Sequence, residues 1–392
     1  MADKNITIRQ LNNDENYDKL YPTTIAEQLK LSANTSALFG TSVKDADAAM
    51  GVICDQLADL KFVTIKVVDR TGNGLAGVPI QGLAGTPKTG NDGTVRGVWI
   101  SDPVTAVSPY VDLASISDNA ESYAGTFNVL TLTLPSLSNN TTIDYKSSTT
   151  VRFSRNVKNI DVCCVGGGGG GVLPSDSTGS LGGGAGTGGG GAGIVNAIGY
   201  YPPINTDISI IVGTGGAVET AWYYLKNSGV RAGNSSFGDI VAYGGTSGYY
   251  TEVGTGRFIY HGGVEGSSGS GNGGGFSSTV VTEEDGNGKA NTTLSKFNEG
   301  VTFYSGGGGI GYYNPVQDAY GQEYYQSFSG GKPNGADGGE VRKRSGTGYD
   351  VTDATKAGIG GGGGGGYYHT STDYANASAG GQGLVSIRIH LY

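Results

Sequence analysis

Tyrosine is the side chain this sequence offers most often for contact chemistry, and it comes in pairs. Doublets stand at positions 200–201, 223–224, 249–250, 312–313, 324–325 and 367–368, most of them in stretches rich in Ser, Asn, Thr and Gly. Segments of that composition resemble antibody paratopes, where Tyr supplies a rigid amphipathic face and the small polar residues adapt their hydrogen bonds. A tyrosine ring can stack on the C–H face of a sugar while its hydroxyl donates or accepts a hydrogen bond. The candidate ligand-contacting residues are therefore Trp222, Tyr223, Tyr224, Tyr249, Tyr250, Tyr312, Tyr313, Tyr324 and Tyr325, with 222–224 the densest aromatic cluster. A second use is open for any doublet: its rings plug gaps beside backbone that carries no side chains. In a strand, neighbouring residues face opposite sides, so one Tyr of a pair can be buried and the other exposed.

Other chemistry is thinly represented. Glu283, Glu284 and Asp285, and Asp337 with Glu340, are carboxylate groups of the kind a glycosidase pairs at a set separation, which sequence alone does not give; a solvated turn explains 283–288 as well, and that stretch lacks the alternating ligands of a calcium loop. No Gly-x-Ser-x-Gly follows a strand, and no glycine cluster ends in Gly-Lys-Ser/Thr. The expectation is a protein with no catalytic residues, no metal and no cofactor. The histidines His261, His369 and His390 are isolated in sequence. Three cysteines, Cys54, Cys163 and Cys164, make no disulfide framework; the adjacent pair reads as two small buried hydrophobes on opposite faces of a strand.

What must position the tyrosines is glycine. The chain has 392 residues, of which 74 are Gly and 24 Tyr, with only 15 % charged. Apolar residues 162–165 run straight into glycines 166–171; further runs stand at 182–184, 188–191, 273–275, 306–309 and 360–366, and a closing strand signal covers 383–392. A flexible linker is one reading of so much glycine. Against it, the runs alternate with β-branched and aromatic residues, and the aromatics argue against ordinary disorder. Glycine can pack backbone against backbone in extended threefold helices, as at the collagen axis, although the Gly-X-Y period of collagen itself is absent. The recurring order is strand, glycine run, polar loop, glycine run, strand. Strands are expected over 149–153, 160–165, 207–212, 235–243, 300–304 and 384–391.

Upstream, residues 61–135 predict a small β-sandwich of Ig-like or prealbumin-like type, with strands at 62–68, 95–100 and 127–134 separated by Asp69–Gly74 and Asn91-Asp-Gly93 turns. Before it, Val43, Ala46, Met50, Ile53, Leu57 and Leu60 are spaced 3, 4, 3, 4, 3. That heptad seam predicts a short helix over 41–60. A helix of that length is marginal alone and its seam must be covered; with no partner helix nearby, self-association is expected. The formal charge of −9 and the lack of clustered Lys/Arg beyond Arg342-Lys343-Arg344 disfavour nucleic acid and anionic membrane as partners. No run is long enough for a membrane helix. Residues 1–10 are polar and charged rather than signal-like, so synthesis in the cytoplasm without the usual export signal is expected.

Two pieces together resemble the tail-fibre and receptor-binding proteins of bacteriophages and phage-tail-like bacteriocins. One is LYPTTIAEQLKL at 20–31, leading through SALFG at 36–40 into the heptads; the other is 162–193 with ISIIVGTGG at 208–216, the glycines at 360–366 and GGQGLVSIRI at 380–389. The resemblance implies a mainly β homotrimer in the virion: an attachment region at 1–40 that meets baseplate or tail proteins, a trimeric coiled coil at 41–60, an Ig-like domain at 61–135, and a distal glycine-rich domain of packed polyglycine II-type helices at 136–392. That last domain would contact a bacterial surface receptor, a cell-envelope glycan in particular, through the tyrosines named above. Two other roles fit less directly, a structural connector and a polysaccharide-degrading tailspike. The His-x-His iron motif of some fibre tips is absent.

Overall fold

The structure is a computed structural model. It describes residues 9–11, 17–19, 60–173, 184–220, 229–254, 257–266, 271–273, 276–277, 287–300, 304–309, 316–317, 323–324, 329–338, 340–343, 349–368 and 374–392. Among these residues the protein is mainly β, in several sheets, with no α-helix. The heptad positions Val43, Ala46, Met50, Ile53 and Leu57 lie outside the described residues. Leu60, the last of them, is 38 % exposed.

The first unit begins at β1 (Phe62–Val68), whose alternating burial sends Val63, Ile65 and Val67 inward. Five more strands follow: β2 (Ile80–Gln81), β3 (Thr94–Val98), β4 (Val104–Ala106), β5 (Ile116–Asp118) and β6 (Val129–Thr133). They form two three-stranded sheets, β3-β1-β6 and β2-β4-β5. Both contribute to one core that includes Ile65, Ile80, Val104 and Leu132. The pair β1–β6 is parallel and the others are antiparallel. The turn after β1 is stapled by its own sequence: the buried Asp69 carboxylate accepts from the amides of Thr71 and Asn73 and from the Thr71 hydroxyl. Gly93 closes the next turn at φ +81, with the Val67 carbonyl 2.4 Å from where a Cβ would sit.

The second unit is rooted in two four-stranded sheets. One has the order β10-β9-β14-β7, from β7 (Thr141–Tyr145), β9 (Val157–Val165), β10 (Ile194–Tyr200) and β14 (Leu384–Leu391). The other has the order β8-β11-β12-β13, from β8 (Thr149–Val151), β11 (Ile208–Ile211), β12 (Ser235–Phe237) and β13 (Ile240–Ala242). Val162, Cys164, Val385 and Ile387 of the first meet Val151, Ile210 and Phe237 of the second. The opposite face of the first sheet, with Cys163, Val165 and Leu384, is covered by Phe297 and Tyr304. Burial on both faces explains why the end of β9, residues 162–165, reads as a continuous apolar run. The single strand expected over 235–243 is two, because Gly238, at φ +53, turns the chain between Phe237 and Ile240.

The two units are joined through buried polar contacts. Asp112 of the first accepts from the Ser154 amide at 2.9 Å and the Ser154 hydroxyl at 2.5 Å, with no exposure. Beside it the Arg152 guanidinium bonds the Ala76 carbonyl and Asp207.

Where the strands of the second unit end, glycine takes over. Residues 166–171 leave β9 and remain buried. A Cβ on Gly166 or Gly169 would strike the carbonyls of Tyr243 and Thr246; on Gly167 or Gly170, those of Thr214 and Ala217; on Gly168 or Gly171, those of Gly361 and Gly364, always within 1.7–2.4 Å. Each successive residue faces a new neighbour, and the same neighbour returns every third residue. That is the period of an extended three-residue-per-turn helix. Such a helix has no internal hydrogen bonds, so its polar groups must be satisfied sideways. Most are: segments 190–193, 216–219, 233, 245, 363 and 378–381 exchange N–H···O bonds with 166–171. The amides of Gly166 and Gly169 donate to Gly193 and Gly190, so that neighbour is antiparallel; the amides of Gly363 and Gly366 donate to Gly169 and Val172, so that one is parallel. The interior here is backbone, and it has room for nothing else.

Candidate functional site

The glycine segments share one anchoring end. Residues 166–171 follow β9, 188–193 precede β10, 213–216 follow β11 and 380–383 precede β14. Six residues at a rise of about 3.1 Å carry the chain roughly 19 Å from the sheet. At that distance Val172 bridges to Glu219, and its carbonyl accepts from the amide of Gly366. Directly beyond Gly366 is a small sheet of Gly184–Ala185, Tyr367–Tyr368 and Tyr374–Ala375, in which Tyr368 pairs with Gly184 and Tyr374. The far end of the bundle thus carries tyrosines on short strands.

A second tyrosine-bearing element is the hairpin Tyr249–Gly254 with Arg257–His261, extended by Phe276–Ser277. Tyr249 pairs with His261, and Tyr250, Tyr260 and Phe276 align in register across its three strands. The rings of Tyr249 and His261 stack at 4.6 Å with planes 18° apart. Burial there holds the His261 imidazole below its ordinary pKa. The hairpin follows Gly248, at which a Cβ would meet the side chain of Thr187 in the glycine bundle.

The tyrosines divide between contact and filling. Tyr201 is 73 % exposed, whereas Tyr200, the last residue of β10, packs edge-on against Phe237 at 6.0 Å. Tyr367 is fully buried, so in this doublet the ring fills space. Of the candidate contact residues, Tyr249 is half-buried in its stack, Tyr250 stands in the same strand, and Tyr324 pairs with Val316 in a two-stranded sheet. Trp222, Tyr223, Tyr224, Tyr312, Tyr313 and Tyr325 lie outside the described residues, as do Glu283, Glu284 and Asp285. Asp337 caps a turn, accepting from the Gly330 amide at 2.7 Å.

Sequence reasoning missed one polar cluster. Arg388 and His390 alternate with Ile387 and Ile389 on β14, which places both on one face of the sheet. Both reach Asp161 on β9: Arg388 Nη2 at 2.7 Å and His390 Nε2 at 2.9 Å from the same Oδ2, while the Gly199 amide donates to Oδ1 at 2.8 Å. Arg388 also bonds Glu299 and lies 4.7 Å over the Phe297 ring, and His390 Nδ1 meets Asn140. Burial alone would raise the Asp161 pKa; the bonds from His390, Gly199 and Arg388 outweigh it and hold the carboxyl below its ordinary value. The cluster borders a shallow groove of about 410 Å³ lined by Lys158, Ile198 and Leu391 among others. Its carboxylate is spent on three donor groups, so the arrangement clamps the last strand rather than presenting a free base. Cys163 and Cys164 fall on opposite faces of β9, and burial pushes their thiols up to about 11 and about 12. Among the described residues no helix is long and apolar enough to cross a membrane.

A family model described as a glycine-rich domain matches residues 141–390. The match spans well over half the chain and takes in both sheets of the second unit with all the glycine segments above. The chain belongs to that glycine-rich domain family. No curated protein matches it.

Proposed function

We propose that this protein is a non-enzymatic attachment fibre: a homotrimeric tail-fibre or receptor-binding protein of a phage or phage-tail-like particle. In this reading residues 1–40 meet the particle's baseplate or tail proteins, the heptads at 41–60 and the β unit form the stalk, and the glycine-rich domain, a bundle of polyglycine II-type helices, is the head. The ligand is a bacterial cell-envelope glycan, held by tyrosine faces and hydroxyls on the head. One observation carries the proposal. The tyrosine-bearing strands at 249–261 and 367–375 are built on glycine segments whose interior is backbone alone. A scaffold of that kind fixes exposed aromatic rings without spending side chains on its own core, and a rigid aromatic loses little entropy on binding. Weak single sites become effective when several heads act together on one surface.

The experiment is a binding assay of purified protein on candidate host cells and their isolated envelope glycans. Substitution of Trp222 or of Tyr249 by Ala should lower retention several-fold with the thermal transition preserved. Absence of retention on every envelope tested would refute the proposal, and release of oligosaccharides during incubation would refute its non-enzymatic part. The buried Tyr367 supports one competing role, a structural connector with its tyrosines turned inward. Under that role, deletion of 141–392 disrupts particle assembly and Ala substitutions leave adsorption unchanged.

A further inference from the structure

The first unit exposes a set of large apolar residues at one end only. Phe127 is 97 % exposed, Ile100 61 %, Val129 46 %, Phe62 40 % and Leu60 38 %. They are brought together by the backbone. The Trp99 amide, one residue before Ile100, donates to the Lys61 carbonyl, and the Gly125 amide in the turn before Phe127 donates to the Phe62 carbonyl. Val129 pairs with Thr64, two residues along from Phe62. Farther along the same outer face stand Thr64, Lys66 and Thr131, so the apolar character is confined to the end next to Leu60. Two cations border the patch: Arg96 lies over the Phe62 ring at 5.3 Å and Lys61 over Trp99 at 5.9 Å.

Leu60 belongs to two patterns at once. It is the last position of the heptad seam that starts at Val43, and the first residue of this exposed cluster. We propose that the two are one surface: the patch at Leu60, Phe62, Ile100, Phe127 and Val129 continues the seam onto the β unit, and its occupant is the same face of another copy of this chain. The inference rests on the self-association in the reading above and deepens it by naming where the copies touch. Connectivity favours another copy over the chain's own upstream segment. Only Lys61 separates Leu60 from β1, and its carbonyl is already bonded to Trp99. Reversing direction between elements takes about two to six residues, so a fold-back would spend Leu57 and Leu60 on the turn and break the seam.

The test is the mass of the full chain in solution over a range of concentrations, beside the variants Phe127→Asp, Val129→Lys and, as a control on the head, Ile198→Asp, a residue 54 % exposed. The wild type should be a multimer. Phe127→Asp and Val129→Lys should each raise the concentration at which it dissociates at least tenfold, with far-UV spectrum and melting of the head unchanged because the replaced side chains are exposed. Ile198→Asp should leave dissociation unaltered. A wild-type multimer that Phe127→Asp and Val129→Lys do not weaken overturns this inference and leaves the proposed self-association standing. A wild-type monomer overturns both; if Phe127→Asp then lowers its melting temperature, the chain's own upstream segment is the occupant.

Discussion

Gly170 gives the most demanding test of a backbone interior. Replacing it with Ala places a methyl 1.7 Å from the Ala217 carbonyl oxygen and 2.6 Å from its carbon. A carbon rests against a carbonyl oxygen at about 3.3–3.6 Å, so segment 214–219 must retreat by roughly 1.5 Å. It cannot do so freely, because the amides of Gly216 and Glu219 are bonded to Gly168 and Gly171 at 2.8 and 3.1 Å. Losing two such bonds costs about 1 kcal/mol each, and overpacking adds about 1–3 kcal/mol, giving about 3–5 kcal/mol in all. For a domain of this size each kcal/mol lowers Tm by about 2–4 °C, hence a fall of roughly 6–20 °C in calorimetry. Gly199→Ala is the internal comparison. Gly199 has φ +69 but open space around its Cβ position, so that variant meets only the left-handed backbone penalty of about 1–2 kcal/mol. If Gly170→Ala melts within a degree of the wild type, or above Gly199→Ala, the packed-backbone argument is wrong.

Asp161→Asn should cost about 2–3 kcal/mol at pH 7, since it removes a carboxylate that accepts charge-assisted bonds. The Asp161 pKa is lowered by folding, so this stability is present above the unfolded value near 3.8 and is lost as pH falls through the folded value; denaturant melts at pH 7 and pH 3 check it, and equal losses at both would refute it. Asp112→Asn should behave oppositely: burial raises the Asp112 pKa, so ionisation there opposes folding, and denaturant melts at pH 7 should show a smaller loss than for Asp161→Asn. His261, whose pKa burial lowers, should titrate below 6.5 by NMR, with the hairpin losing stability as pH drops below that value; a midpoint above 6.5 would remove the buried stack. Cys163 and Cys164 should resist thiol reagents in the native protein at pH 8 and react promptly in denaturant; fast native labelling of a variant lacking Cys54 would contradict their burial.

Much of the sheet framework was legible because apolar side chains carry position. The alternation in Phe62–Val68, the unbroken apolar run before Gly166 and the closing strand at 384–391 all name their own faces. Adjacent Cys163 and Cys164 announced a two-sided strand and occupy its two cores. The glycine segments announce only that something without side chains is built. Which segments become neighbours is written in no residue type, since every glycine offers the same N–H and C=O; the pairings follow from where the flanking strands are placed. The clamp at Asp161 was hidden for a different reason. Arg388 and His390 advertise a shared face by their spacing, but their acceptor lies 227 and 229 residues earlier, and only the pairing of β9 with β14 brings it across.

That pairing also decides how the bundle is held. Segments 166–171 and 380–383 leave adjacent strands of one sheet, and the Gly168 amide meets the Gly381 carbonyl just beyond the sheet's edge. A three-residue helix of glycine alone has no means of fixing its rotation or register against its neighbours, because sliding by three residues restores the same contacts. The flanking strands supply that missing information: Val165 is locked to Leu384 and to Ile194, so the glycines that follow or precede them start in a defined phase. Register is therefore set by side chains in the sheets and transmitted through backbone hydrogen bonds to the tyrosine-bearing end. Loosening the sheet at the Asp161 clamp should then be felt by the aromatic strands, which lie some 19 Å beyond the end of the sheet, and amide exchange at Tyr367 and Tyr368 in Asp161→Asn is where that transmission is measured.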